Sequence, residues 1–470
     1  MLFPTAEFAI FFIAVFALYW FTPVPHTIKK VFLILASYFY YGYWDPRFVL
    51  LLIGYSAVSY FTALYIQGEP NQLKQKRAIT YSVGVFLLLL GFFKYYGFLF
   101  INFNSLLLKA GYIHTFPMID VLLPVGISFF TFQAISYLVD VKRGTVQASR
   151  SAVDVFLYIS FFPQLVAGPI VRSSVLLPQI QKVPERGEIQ VYRAAVLIMG
   201  GLFKKMIIAN YLSTEIVDHV FQNPSDYSQL DTLFAIYGYS IQIYCDFSAY
   251  SDMAIGVALL LGFKYPDNFD QPYRSLSLQE FWKRWHISLS SWLRDYLYIP
   301  LGGSRKGTLM TYRNLILTML LGGLWHGASW NFIIWGALHG FGLAVERFLD
   351  PFIKPLRENK FGKILVGVIV FHFVSLAWVY FRASDFGTAT TILFRVVYAQ
   401  NPTELITPFI VLLLVVGVLI NVLPSKIYPY IEEKISVMPI YAQVVLFGLL
   451  FALLAIMSPD GVMPFIYFQF

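Results

Sequence analysis

Twelve apolar stretches recur along this chain, most of them close to the ~20 residues an α-helix needs to cross a bilayer. They lie at about 6–22, 31–43, 48–66, 79–101, 119–139, 193–213, 232–262, 314–332, 333–349, 364–382, 406–424 and 440–457. Inside hydrocarbon no water is present to satisfy backbone amides, so each stretch must close its own hydrogen bonds as a helix. Of the residues, 13% are charged and 58% hydrophobic, whereas soluble domains carry about 25% charged residues. The expected fold is an all-α polytopic membrane protein, with about 11–12 transmembrane helices plus re-entrant and interfacial ones. It is read as a single integral unit over residues 1–470, with its catalytic core in 120–350 and an extracytoplasmic tail at 458–470. The runs 31–43 and 333–349 are short for a span. Residues 154–169, broken by Pro163, Gly168 and Pro169, are expected to be re-entrant, with irregular backbone buried in protein or lining a cavity.

The formal net charge is +8. In a membrane protein such a surplus marks cytoplasmic loops, and no nucleic-acid partner is expected. Lys29 and Lys30 follow the first run, Lys74, Lys76 and Arg77 the third, and Lys142, Arg143 and Arg150 the fifth. Lys354, Arg357, Lys360 and Lys363 form a later basic loop, and Lys426 and Lys434 flank another. Odd-numbered loops are thus basic, which puts both termini outside a bacterial cytoplasmic (inner) membrane. The run Phe8 to Phe21 has no basic segment before it and no small-residue cleavage site after it, so it reads as a retained helix. The single cysteine, Cys245, permits no internal disulfide and reads as a packing residue.

Chemistry concentrates in the middle region. Gly322-Gly-Leu-Trp-His-Gly-Ala-Ser-Trp330 places His326 inside an apolar stretch, with small residues around its backbone and Trp325 and Trp330 beside it. An ionisable ring at membrane depth is costly and marks a functional site by default. Residues 279–300 carry Phe281, Trp282, Trp285, Leu289, Trp292, Leu293 and Tyr296 at three- and four-residue spacing, punctuated by Lys283, Arg284 and Arg294. That pattern predicts one amphipathic helix at a cytosolic interface. It reads either as an anchor or as a basic lip for a phosphorylated ligand, since Arg offers forked donors and Lys a point charge. Arg305, Lys306 and Arg313 add positive charge nearby. No Walker-type glycine loop is present, which argues against a nucleotide hydrolase.

His286 falls within that predicted helix. No close ligand pair accompanies the two histidines, so no metal is expected. A base partnered by an orienting or substrate-binding histidine fits better, because neutral imidazole can take a hydroxyl proton, as acyl transfer to an alcohol requires. His339, in Trp335-Gly-Ala-Leu-His-Gly, reads as a packing or hydrogen-bonding residue. Asp246 and Asp252 lie in an apolar helix with Ser248, Tyr250 and Ser251 between them. Buried carboxylates need partners, and supporting roles are expected for Asp246, Ser248, Asp252 and Asp295. The chain ends in Met463-Pro-Phe-Ile-Tyr-Phe-Gln-Phe470, an apolar tail that should dock into something.

These motifs resemble the membrane-bound O-acyltransferase (MBOAT) family, and within it the branch that acetylates extracytoplasmic polysaccharides such as alginate. The resemblance is carried by Phe162-Pro-Gln-Leu-Val-Ala-Gly-Pro169, Asp246-Phe-Ser-Ala-Tyr-Ser-Asp252, Trp285-His-Ile-Ser-Leu-Ser-Ser-Trp-Leu-Arg-Asp295 and Gly322-Gly-Leu-Trp-His-Gly327. It implies helices around a tunnel across the membrane, His326 as the central catalytic residue and His286 as the second family histidine. It also implies an acyl donor at the cytosolic mouth, acetyl-CoA in this branch, with no permanently bound cofactor. CoA phosphates would suit the lip of Lys283, Arg284, Trp285, Arg294 and Arg305, with Trp325 beside the base.

The tail is similar to the ending of a small membrane protein of teichoic-acid D-alanylation, in which a tyrosine carries the acyl group. This implies Tyr467 as an acyl relay. The chain has no Gly-x-Ser-x-Gly elbow and no large outer domain, so a separate soluble O-acetyltransferase of the SGNH-hydrolase type is the expected partner. Two alternatives stand beside this reading. One keeps the fold and moves D-alanyl or another acyl group. The other is a transporter or flippase using His326, Asp246 and Asp252, which leaves the tryptophan–histidine motifs unexplained.

Overall fold

The computed structural model describes residues 1–112, 116–424 and 427–458. Every regular element among them is helical. Contacts divide the chain into two units, 1–189 with 258–266, and 190–257 with 267–470.

The first unit contains α1 (Ala6–Phe21), α2 (His26–Gly42), α3 (Arg47–Gly68), α4 (Gln72–Lys109), α5 (Ile127–Arg143), α6 (Ala152–Ser160), the single turn α7 (Phe162–Leu165) and α8 (Ser173–Gln181). Side-chain caps start several of these: Thr5 accepts from the Phe8 amide at 3.3 Å, Asn71 from Leu73 at 2.9 Å and Ser151 from Asp154 at 3.3 Å. Such caps satisfy amides that a helix start leaves open. Gly126 begins α5 at φ 75°, where a Cβ would stand 2.4 Å from the Leu165 carbonyl oxygen. The break expected in 154–169 is present, with α6 stopping at Ser160 and α7 following Phe161. That stretch is buried within its unit: the Phe162 amide donates to Ser37 Oγ at 3.1 Å, and Asp154 pairs with Lys30 at 2.5 Å. Burial in protein is what irregular backbone at membrane depth requires.

The second unit begins with α9 (Val191–Phe203). It continues through π-helical turns at Lys204–Ala209 and Ser213–Val217, with α10 (Asn210–Leu212) between them, into α11 (Asp218–Gln222). There follow α12 (Gln229–Leu260), α13 (Leu278–Arg284), α14 (Ile287–Leu293), α15 (Thr308–His326), α16 (Trp330–Ile353), α17 (Lys360–Arg382), α18 (Phe386–Tyr398), α19 (Pro408–Val422), α20 (Ile427–Ser436) and α21 (Ile440–Met457).

Among the described residues seven helical stretches are long and apolar enough to cross a membrane, or eight if α19 and α20 form one broken span. This makes the protein a polytopic helical membrane protein, with fewer full-length spans than the 11–12 expected. Length explains most of the difference. α1 has 16 residues and α2 and α5 have 17, and at 1.5 Å per residue each reaches only about 25 Å of a ~30 Å core. α15 is 19 residues long but carries Arg313, Asn314 and His326. α4, by contrast, runs on for 38 residues.

Candidate active site

α15 and α16 form a hairpin seamed by glycine. A Cβ on Gly323 would stand 2.2 Å from the Phe332 carbonyl oxygen, one on Gly336 2.4 Å from that of Met319, and one on Gly340 2.9 Å from Ile316 Cα. Small residues let two helix backbones approach this closely. The seam presents His326, the last residue of α15, against Trp325 and Trp335 with ring centroids 5.0 Å away, and Phe381 at 5.2 Å. The imidazole is 5% exposed. Gly327 is required next to it, since a Cβ there would meet the Phe332 ring at 2.0 Å.

The single amphipathic helix expected over 279–300 does not form. α13 ends at Arg284, Trp285 is extended, and His286 takes a left-handed backbone at φ 43° before α14 begins. For a residue with a side chain that conformation costs about 1–2 kcal/mol. The loop at 268–270 supplies the compensation. The Ile287 amide donates to the Asn268 carbonyl at 2.9 Å, the Ser288 amide and hydroxyl donate to Asn268 Oδ1 at 3.1 and 2.8 Å, and the Asp270 amide donates to the Arg284 carbonyl at 2.9 Å. His286 Nδ1 lies 3.3 Å from the same Asn268 oxygen. The break turns the His286 ring inward, 0% exposed, against Phe247 at 4.6 Å and Trp325 at 6.2 Å. Burial pushes its pKa from 6.5 down to about 3, because a desolvated ring resists taking a charge. Trp325 therefore stands between the two histidines, one ring contact from each.

His339 packs and bonds as expected. Trp282 Nε1 donates to its Nδ1 at 3.3 Å, and Trp335 lies 4.9 Å away.

Beside this wall lies a cavity of about 650 Å³, within the usual size of small-molecule sites. Lys283, Arg294, Arg347, Ser290, Ser291 and Tyr298 contribute polar groups to its lining, Trp282 and Met319 apolar ones. Its acids are already engaged: Glu346 accepts from the Leu278 and Gln279 amides, and Asp350 pairs with Arg357 at 2.9 Å. Arg294 pairs with Asp295 at 2.7 Å, so Asp295 supports an arginine. Lys283 and Arg347 have no ion-pair partner among the described residues, and the cavity is left cationic. Trp282 connects it to the histidines, its ring 5.7 Å from Trp335, which in turn touches His326.

Three residues assigned to the basic lip fall elsewhere. Arg284 bonds Asp270 at 2.6 Å and Glu280 at 3.0 Å, so it pins the loop that holds the helix break. Trp285 is core, packed on Trp378 at 4.9 Å and Phe269 at 5.1 Å. Arg305 is an exposed loop residue outside the cavity lining, whereas Trp325 lies beside His326 as expected. The carboxylates of α12 find lysines. Asp246 pairs with Lys205 at 2.9 Å and Asp252 with Lys204 at 2.6 Å, while Lys204 also donates to Ser248 at 2.8 Å. Sequence reasoning missed Lys204, Lys205, Arg347 and Asn268. Two adjacent lysines within an apolar run were the available signal for the first pair. Tyr467 lies outside the described residues.

Comparison with known proteins gives this geometry a family. Residues 146–383, which hold both histidines and most of the cavity, match the membrane-bound O-acyltransferase family. A probable alginate O-acetylase, AlgI, of Pseudomonas putida is 42% identical over 393 residues, covering 83% of this chain and 79% of that protein. A peptidoglycan O-acetyltransferase of Helicobacter pylori is 41% identical over 393 residues, with 77% and 73% covered. A teichoic acid D-alanyltransferase of Bacillus subtilis is 30% identical over 274 residues, with 56% and 69% covered. The protein is a multi-pass membrane acyltransferase and belongs to the membrane-bound O-acyltransferase family.

Proposed function

We propose that this enzyme takes acetyl from cytosolic acetyl-CoA and delivers it across the bacterial inner membrane for O-acetylation of an extracytoplasmic polysaccharide, of the alginate, cellulose or peptidoglycan kind. The observation that carries the reading is the histidine wall His286–Trp325–His326 set one aromatic layer behind a cationic cavity. Lys283 and Arg347, with Arg294 at the margin, suit the phosphates of CoA. Its thioester would then lie toward Trp282 and His326. The likeness to the alginate and peptidoglycan O-acetylating proteins supports acetyl as the group and polymer hydroxyl as its destination.

In this reading His326 is the base. A hydroxyl loses its proton to the imidazole and its oxygen attacks the thioester carbonyl. The C–S bond breaks, and the proton passes from imidazolium to the CoA thiolate, leaving CoA–SH and an acetyl ester. The attacking hydroxyl is that of Tyr467, entering from outside with the tail 458–470. A soluble SGNH-type O-acetyltransferase then takes acetyl from the tyrosine ester onto the polymer and restores the phenol. Two transfers replace one, as covalent catalysis allows. Both termini face outside, residues 1–470 act as one integral domain, and the core lies in 120–350.

Intact-protein mass spectrometry after incubation with acetyl-CoA tests this. One added acetyl mapped to Tyr467 and absent in His326→Ala is the expected result. His326-dependent release of CoA without an adduct would remove the relay and keep the acetyltransferase. Neither signal from a folded preparation would overturn the reading.

A further inference from the structure

The seam between α9–α11 and α12 holds polar groups that the acyl-transfer chemistry does not use. The two strands of the seam run antiparallel. Gly256 meets Ala194 and Ile198, Gly201 meets Ala249 and Met253, Lys205 pairs with Asp246, and Gly238 meets Leu212, Ile216 and Val217. Asn210, Tyr239 and Gln242 lie in the interval between the last two anchors. They are 1%, 0% and 6% exposed. Among the described residues neither polar atom of the Asn210 amide has a hydrogen-bond partner, nor does the Tyr239 hydroxyl or Gln242 Oε1.

The backbone explains why these groups gather. Tyr239, Gln242 and Asp246 follow at i, i+3 and i+7 and so share one face of α12. The π turn Lys204–Ala209 carries the Asn210 amide onto the Lys205 carbonyl, which stacks Asn210 one wide turn beyond Lys205. π turns of this kind concentrate at functional sites. At the far end Asp218 accepts from Arg382 at 2.5 Å and from Ser213 at 2.8 Å, and Arg382 Nε is again without a partner among the described residues. Tyr239 lies within the fields of Asp246, Asp218 and Arg382 alike. Buried polar atoms are satisfied by protein or by ordered water, and a buried water needs two to four polar partners. This seam offers them in series between two ion pairs.

We propose that the seam binds a short file of water molecules running from Lys205–Asp246, past Gln242, Asn210 and Tyr239, to Asp218–Arg382. From Tyr239 to Asp246 the helix rises about 10 Å, the length of roughly three waters end to end. The file hydrates the ion pair at each end of the seam. It ends at Arg382, whose guanidinium lies over the Phe221 ring at 5.8 Å from the ring centroid.

Hydroxyl-radical footprinting of the full chain in nanodiscs reads this directly, because radicals made from bound water oxidise the rings beside it. Tyr239 and Tyr158 are both 0% exposed, but the Tyr158 hydroxyl is taken up by the Val171 carbonyl at 3.2 Å. Tyr239 should be oxidised at least several-fold faster than Tyr158, and Asn210→Leu with Gln242→Leu should bring it down to the Tyr158 rate. Equal rates in the natural protein overturn the proposal whether or not the double variant folds. Fast oxidation of Tyr239 that survives the double substitution in folded protein overturns it too. Asn210→Ser, which keeps a hydrogen-bonding group, should leave the labelling in place.

Discussion

Gly323→Ala tests whether the close approach of α15 and α16 is what sets His326. The new Cβ would lie 2.2 Å from the Phe332 carbonyl oxygen and 3.2 Å from Gly336 Cα, where ordinary contact begins at 3.4 Å. The obstacle is backbone, so no side-chain rotation relieves it, and the helices must part by roughly 1 Å in an interior that is close-packed. Overpacking of this kind costs about 1–3 kcal/mol. The better helix propensity of alanine returns about 0.5–1 kcal/mol, so strain wins and the variant should unfold at lower temperature. The catalytic effect should be larger than the stability effect. His326 is three residues along the same helix, and a 1 Å misplacement can cost about 10²-fold in rate. Acetyl-transfer rate and thermal unfolding would be measured together, with Gly84→Ala as control because nothing lies within 4 Å of a Cβ there. Full transfer activity and unchanged unfolding in Gly323→Ala would refute the reasoning.

Three further outcomes are expected. Lys283→Ala and Arg347→Ala should each raise KM for acetyl-CoA about tenfold with kcat nearly kept, since a charge-assisted hydrogen bond contributes about 1.5–3 kcal/mol and both side chains are partly in water; steady-state kinetics at low and high salt would reveal it, and unchanged KM would move the donor elsewhere. Lys205→Met leaves Asp246 buried without its cation and should destabilise by about 3–5 kcal/mol, whereas Lys205→Met with Asp246→Leu should recover most of that in denaturation; a double variant no more stable than the single would count against the pair. His286 lies outside the helices long enough to span, and its pKa is about 3 in the fold against 6.5 when free. Between those values the unfolded chain binds the extra proton, so stability should fall as pH drops below 6.5 and be indifferent to this group above it. Unfolding followed from pH 7.5 to 5 should show a shallower loss in His286→Gln, and identical slopes would argue against a neutral buried ring.

Much of the architecture was legible because hydropathy and helix length are local properties. The run 440–457 is α21 to the residue, and 364–382 differs from α17 only at its start. His326 was legible for a related reason: an ionisable ring inside an apolar stretch is conspicuous wherever the chain later folds. Span counts were less so, because α1 is apolar enough but too short, α2 and α5 are short and carry charged residues as well, and length at a helix end depends on capping and on what the next segment packs against.

What tertiary structure alone decided is where polar groups meet. The amphipathic period of 279–300 is real, yet the helix breaks at His286 because Asn268, 18 residues earlier in sequence, takes up the freed backbone amides. A left-handed residue without glycine leaves no local signature. Arg284 and Lys283 are neighbours with the same charge, but one pins a loop and the other lines the cavity, since successive helical residues point about 100° apart. Asp246 and Asp252 announced that they needed cations, while the π turn that delivers Lys205 to one and Lys204 to the other exists only in the packed seam. The amino-acid order by itself determined that this chain must be a bundle of membrane helices carrying a histidine at depth. The fold determined which aromatic rings enclose that histidine and which charges remain free to hold a ligand, because both depend on contacts between residues far apart in sequence.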